Sequence, residues 1–301
     1  MGIKEFNTPI LLITFNRPQN TRRALESILA VQPNDLYVFQ DGAREGNVSD
    51  VTNCAEVRQV IEELTEGEQV RIHKNYQETN LGCGPGPYKA ITWFFENEEL
   101  GIILEDDINP HPLFFSFMGE LLERFKKEES IGMVTAHNLN RYYSPTNSYY
   151  FTPETGGTLG WGTWRRVWEK FDFNIPFVYA QLEKSLKMYR IPRLCRRKIL
   201  DYCEKWLHGD RHDCWDYQFE YFLLVNNYLN ARANSCLTSH EGNGKDATHF
   251  GYSNPNYYMD VNVPLFENIR HPSSLKIDFS VRWRMFKKEL HLMLKKMFLS
   301  K

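Results

Sequence analysis

The sequence predicts an α/β fold, with a mostly parallel central sheet flanked by helices in a Rossmann-like arrangement. Three observations lead there. Short apolar runs alternate with amphipathic stretches through the first half, the pattern of successive βαβ units. Polar residues fall where several of those runs end: Asn16-Arg17, Asp41, and Glu105 to Asp107. No Pro/Ser-rich linker interrupts the chain, so we expect one domain over 1–270 and a basic amphipathic tail over 271–301.

Pro9 to Phe15 (PILLITF) is continuously apolar, as a strand covered on both faces should be. Asn20 or Thr21 is expected to cap a helix with Ala24, Leu25, Ile28 and Leu29 on one face. Asp35 to Gln40 forms the next strand and ends at Asp41-Gly42. Val51 to Leu64 reads as a helix, Gln69 to His73 as a strand, and Pro87 to Glu99 as a helix. Gly101 to Leu104 is a fourth strand that runs straight into Glu105-Asp106-Asp107. The helix Pro112 to Lys127 and the strand Ile131 to Ala136 follow. Beyond them the pattern loosens. Gly156 to Trp168 is rich in glycine and tryptophan, Leu182 to Leu207 and Trp215 to Asn227 look helical, and Glu241 to Tyr252 is a polar loop.

The chain has 301 residues, enough for a sizeable core, and a net charge of -2 that does not suit a nucleic-acid binder. The six cysteines form no CxxC pair, which leaves a zinc ribbon or thioredoxin-type site unsupported. With no secretory signal and no apolar run long enough to span a bilayer, we expect reduced thiols and a cytoplasmic location.

The acidic triplet is the sharpest chemical signal. Three adjacent carboxylates repel one another, so a fold that crowds them at a strand end calls for a compensating cation. Hard oxygen ligands suit Mg2+ or Mn2+, completed by diphosphate oxygens. Such an ion would neutralise a leaving nucleoside diphosphate. The bland alternative is a solvated acidic turn. Arg17, just past the first strand, is either a base or phosphate contact or an exposed loop residue. Asp41 is a base or ribose acceptor, or a turn residue. Asn80 to Pro87 (NLGCGPGP) leads into a helix. Its Gly82 and Gly84 leave backbone N–H groups free to line a donor, although the stretch is neither a P-loop nor GxGxxG. Asp216, after Trp215, is a general base for an acceptor hydroxyl or an N-cap. His249, in NGKDATH, is a metal or phosphate contact or a structural residue.

The order of these features resembles GT-A-type glycosyltransferases, in particular the β-1,2-N-acetylglucosaminyltransferase group and its bacterial hemolytic-protein-like relatives. The matching pieces are TFNRP, VFQDG, NLGCGPG, ILEDDINPHPLFFSF, GGTLGWGTWRRVW and CWDYQFEY, spread from about Thr8 to Gly251. The resemblance implies a metal-dependent, inverting transfer from a UDP-sugar, with Asp107 as the direct metal ligand. Asp106 would lie near the donor sugar or ribose, supported by Glu105. Arg17 and Asp41 would contact the nucleotide, and Trp161 would belong to the binding residues. The family places two acidic residues after the tryptophan. Here the first of those positions is Asp216 but the second is Tyr217, so Asp216 and the neighbouring Asp213 both stand as bases. The family's donor-binding histidine before the metal motif is absent, with Pro87 and Tyr88 in that vicinity.

The tail Val281 to Phe298 spaces Trp283, Phe286, Leu290, Met293, Leu294 and Met297 helically, with lysines and arginines opposite. It would lie on an anionic membrane or pack on protein. With the resemblance, it suggests a lipid-linked or glycan acceptor in bacterial surface polysaccharide synthesis. The rival readings are a nucleotidyltransferase or phosphohydrolase using the same acidic site, and an inactive carbohydrate-binding module.

Overall fold

The computed structural model describes residues 6–138, 146–153, 157–208, 214–240 and 268–278, together with 283, 286, 287, 290 and 291 of the tail. The first half follows the expected alternation. In order come β1 (Ile10–Thr14), α1 (Pro18–Leu29), β2 (Asp35–Gln40), α2 (Val48–Thr65), β3 (Arg71–Tyr76), α3 (Pro85–Asn97) and β4 (Leu100–Glu105). Then follow β5 (Ile108–Pro110), α4 (Pro112–Arg124), β6 (Ile131–Thr135), β7 (Tyr149–Thr152), β8 (Trp161–Trp164) and α5 (Arg165–Trp168). The second half closes with α6 (Tyr179–Met188), α7 (Arg193–His208), α8 (Trp215–Val225), β9 (Leu229–Ala233) and β10 (Thr238–His240).

Among the described residues the main sheet runs β3-β2-β1-β4-β8-β6-β9-β7. The β3-β2-β1-β4 block is parallel, β8 is antiparallel to both its neighbours, β9 is parallel to β6, and β7 is antiparallel to β9. The sheet is therefore mostly parallel. Register sets the strand ends level, Thr14 opposite Gln40 and Ile13 opposite Glu105, so the residues that follow share one rim. Strands β1, β4 and β6 are apolar and buried almost throughout, consistent with cover on both faces.

Several local details differ from the sequence expectation. Helix α1 starts at Pro18, not after Asn20 or Thr21, because proline suits the first helical position, where its missing N–H costs nothing. Thr21 Oγ1 instead donates back to Arg17 O at 3.0 Å. Helix α2 begins at Val48, with the Asn47 side chain accepting the Asp50 N–H at 3.1 Å. The single helix expected over 182–207 is two, broken where Arg190 takes φ 54° ahead of Pro192. The segment around Trp161 is not irregular but a buried strand. At Gly162 a Cβ would lie 2.6 Å from Gly101 O of the neighbouring strand, so only glycine fits.

A second small core joins α6, α7 and α8 through Leu182, Leu186, Leu200, Tyr221 and Leu224. None of the six cysteines is in a disulfide. Residues 270–278 lie along β7: Ser148 N–H donates to Arg270 O at 2.8 Å, Asp278 N–H to Phe151 O at 3.2 Å, and Tyr149 Oη lies 3.0 Å from His271 Nδ1. The 270/271 boundary expected from sequence falls inside this docked segment. No helix among the described residues is long and apolar enough to cross a membrane.

Candidate functional site

The level ends of β1, β2 and β4 open into a cavity of about 410 Å³. Its wall includes Arg17, Asp41, Gly82, Glu105, Asp106, Asp107 and Asp216, residues that the sequence singled out at widely separated positions. Gly84 and Trp161 are not on that wall. His249 and Asp213 lie outside the described residues.

Asp41 organises the glycine loop. Its Oδ1 accepts the Leu81 N–H at 2.8 Å and the Gly42 N–H at 2.9 Å. Its Oδ2 accepts Asn80 Nδ2 at 2.9 Å and the Gly82 N–H at 3.1 Å. Burial raises its pKa against the pull of these backbone donors. A carboxylate so engaged acts on a ligand chiefly through the loop it holds. Gly82 needs its positive φ of 87° to turn there, Gly84 is the N-cap residue of α3, and Gly86 is buried on the cavity wall.

Two acids of the triplet hold a guanidinium. Arg17 Nη2 lies 2.5 Å from Asp106 Oδ1, and Arg17 Nη1 donates to Asp107 Oδ2 at 2.7 Å. The Phe15 N–H donates to Asp106 Oδ2 at 3.4 Å. His240 Nε2 is 3.4 Å from Asp107 Oδ2. Burial works against the charge of Arg17, but Asp106 and Asp107 outweigh it and its pKa is raised. Glu105 and Asp106 are pushed up, mainly by burial. Burial would push Asp107 up as well, but His240 and Arg17 together hold it below the usual carboxylate range. The three acids therefore differ in proton affinity although they are adjacent.

His240 is the site residue that sequence reasoning missed. It stands on β10, opposite Ile108 of β5 in a two-stranded antiparallel sheet, and that pairing carries it to Asp107. The available signal was a histidine closing the short run Leu237 to His240, just before the polar loop.

Asp216 is not the N-cap of α8. Cys214 holds that position and Asp216 sits in the first turn, where its Oδ1 accepts the Tyr217 N–H at 3.0 Å. Its charge reaches Glu105 and raises that group's pKa further. Trp215 lines the cavity beside it and stacks on Trp161, with ring centroids 5.6 Å apart. Trp161 is 1% exposed and also packs near Trp168 and Phe219. It supports the cavity wall from beneath.

The donor chemistry suits a hard divalent cation. Asp106 Oδ1 and Asp107 Oδ1 are buried and accept no hydrogen bond among the described residues, the first meeting Arg17 only as an ion-pair contact. No group of three His, Cys, Asp or Glu side chains forms a metal cage among those residues. Two carboxylates completed by substrate phosphate oxygens are the usual Mg2+ arrangement, and they fit this site.

No family model matches the chain. Among solved structures it is similar to the inositol-1-phosphate CTP transferase from T. maritima, at TM-score 0.31 and 8% identity, over 55% of this chain and 73% of that one. It is also similar to UDP-glucose pyrophosphorylase complexed with UDP-glucose, at TM-score 0.40 and 7% identity, over 75% of this chain and 90% of that one. The apo form of UDP-glucose pyrophosphorylase gives TM-score 0.37 and 7% identity over the same shares. Likeness at this level assigns no chemistry, which rests on the residues of the cavity.

Proposed function

We propose that the protein is a glycosyltransferase that moves a sugar from a UDP-sugar to an acceptor hydroxyl with inversion. The observation that supports this best is the composition of one cavity wall. A carboxylate–guanidinium cluster for a diphosphate and a separate carboxylate, Asp216, line the same space at the strand ends.

In this reading the glycine loop held by Asp41 and the start of α3 bind the diphosphate through backbone N–H groups. Arg17 pairs with the phosphate oxygens. Asp106 and Asp107, with His240 beside them, would hold Mg2+ or Mn2+, whose charge would stabilise the leaving diphosphate. Asp216 accepts the proton of the acceptor hydroxyl as that oxygen forms its bond to the anomeric carbon. The bond from that carbon to the diphosphate breaks, and its electron pair leaves with the nucleotide. Trp215 and Leu159, both on the cavity wall, exclude water that would otherwise take the sugar. The basic tail is the reason to look first among lipid-linked saccharides for the acceptor.

A nucleotidyltransferase using the same carboxylates is the second reading. It handles a nucleoside triphosphate. The cationic side chains on the described wall are Arg17 and Arg44, and both already pair with carboxylates, Arg44 with Asp50 at 2.5 Å. The same carboxylates and arginines would serve either reading, so the products of the reaction decide between them.

The test is calorimetry with UDP, GDP and CMP, each with and without Mn2+, beside Asp107→Ala, followed by donor hydrolysis and pyrophosphate-release assays. Metal-dependent UDP binding lost in the variant, with UDP released from a UDP-sugar, is expected. Pyrophosphate release from UTP and a sugar phosphate would favour the second reading. No nucleotide binding by folded protein with metal present would favour a binding module.

A further inference from the structure

Arg17 grips both carboxylates of the candidate cation site at once, through Nη2 on Asp106 and Nη1 on Asp107. The two acids are nearly closed to solvent, with side chains 1% and 10% exposed, whereas the arginine side chain keeps 34%. The guanidinium is therefore the member of the cluster with a way out into the cavity. Its backbone is anchored, the carbonyl accepting from the Thr21 N–H at 2.9 Å and from Thr21 Oγ1 at 3.0 Å, but its side chain makes no capping bond, so the guanidinium can swing about that anchor. Asp106, by contrast, is tethered by the Phe15 N–H, and Asp107 lies against His240.

A divalent ion on the same oxygens would stand within a few ångströms of the guanidinium. Two cations that close, in a site this shielded from water, repel strongly. The incoming diphosphate carries the charge that would compensate a displaced arginine, and guanidinium–phosphate pairing is favourable geometrically.

We infer that Arg17 is a built-in occupant of the cation site. It leaves Asp107 when a divalent ion binds and is then held by the diphosphate. This inference rests on the metal-dependent nucleotide reading above. Its consequence is that cation and nucleotide bind cooperatively, each weak alone, because each favours the state in which the arginine has moved. The coupling is reciprocal by linkage.

The test follows free Mn2+ by electron paramagnetic resonance during titration of the full chain, with and without UDP, for wild type, Arg17→Met and Arg17→Lys. Circular dichroism checks folding of each. UDP is expected to tighten Mn2+ binding to wild type at least ~10-fold, within the ordinary range of coupling between sites. Arg17→Met should bind Mn2+ alone about 5-fold tighter than wild type and lose most of the UDP effect, while Arg17→Lys should retain it. The inference is overturned if wild type binds Mn2+ equally with and without UDP. It is also overturned if folded Arg17→Met binds Mn2+ alone no tighter than wild type. The wild-type comparison decides the matter should Arg17→Met fail to fold. If no variant and no wild-type sample binds Mn2+ with UDP present, the metal-dependent reading itself falls, and this inference with it.

Discussion

Asp41 at the end of β2 receives the Leu81 N–H at 2.8 Å, so one buried carboxylate fixes the shape of a loop from a distant part of the chain. Replacing Asp41 by alanine leaves the backbone donors of Gly42, Leu81 and Gly82 and the Asn80 amide without this acceptor. We expect Asp41→Ala to destabilise the fold by about 2–4 kcal/mol and to weaken nucleotide binding. Asp41→Asn, which keeps one acceptor oxygen, should fall between. Thermal melts with a UDP titration check this, and a wild-type melting temperature for Asp41→Ala would count against it.

In the proposed mechanism Asp216 would serve the chemistry and not the binding of the nucleotide. Asp216→Asn keeps the shape and an oxygen for the Tyr217 N–H but cannot take a proton. We expect kcat to drop by about 10²–10⁴-fold with UDP affinity nearly unchanged. Steady-state kinetics beside nucleotide binding measure the split. Equal losses in both would show that Asp216 acts through structure.

Burial, with the charges of Arg232 and His240, lowers the pKa of His137 to about 4 from the ordinary value near 6.5. Its Nδ1 lies 3.2 Å from Thr238 Oγ1. The unfolded chain therefore binds a proton at higher pH than the folded one. This contribution to stability is full above pH 6.5 and is lost as the pH falls toward 4, by roughly 3 kcal/mol in total. His137→Asn should flatten the stability curve across that window. Urea unfolding at pH 7.5, 6, 5 and 4 tests it, and a slope the same as wild type would sink the assignment.

Arg166 closes the turn between α4 and β6. Its guanidinium donates to the carbonyls of Phe125, Lys126, Glu128 and Ile131, at 2.9–3.1 Å, and lies over the Trp164 ring. Arg166→Ala should cost about 2–4 kcal/mol, since the carbonyls lose a charged multidentate donor. Arg166→Lys should recover only a minor part, because a point charge cannot reach them together. Denaturant midpoints for the two variants decide between this and a purely electrostatic role.

Much of this architecture could be read in the residues. Asp35 to Gln40 is a strand with the bounds its apolar pattern suggests, and the carboxylates after Leu104 lie at the rim where a parallel sheet presents ligands. What escaped had a physical reason. Strand β9 reads LNARA, and its Asn230 and Arg232 are buried polar residues, so no apolar run announces it. Asn230 instead reaches Pro153 O at 3.0 Å. Strand β8 hid among glycines and tryptophans because both of its faces are covered and its small residues serve close strand approach. His240 could not be placed beside Asp107 without knowing that β10 pairs with β5. Local pattern carries propensity and periodicity, whereas these three depend on which distant segment becomes a neighbour.

The segment 270–278 along β7 has a consequence for handling the protein. Among the described residues strand β7 ends the sheet, its sequence is YYFT, and all four residues are buried. An uncovered strand of that composition is an adhesive edge, open to pairing with another copy of itself. Residues 270–278 therefore serve as a guard rail against self-association. A shortened chain ending at 270 would be expected to clump during purification, even with its cavity intact.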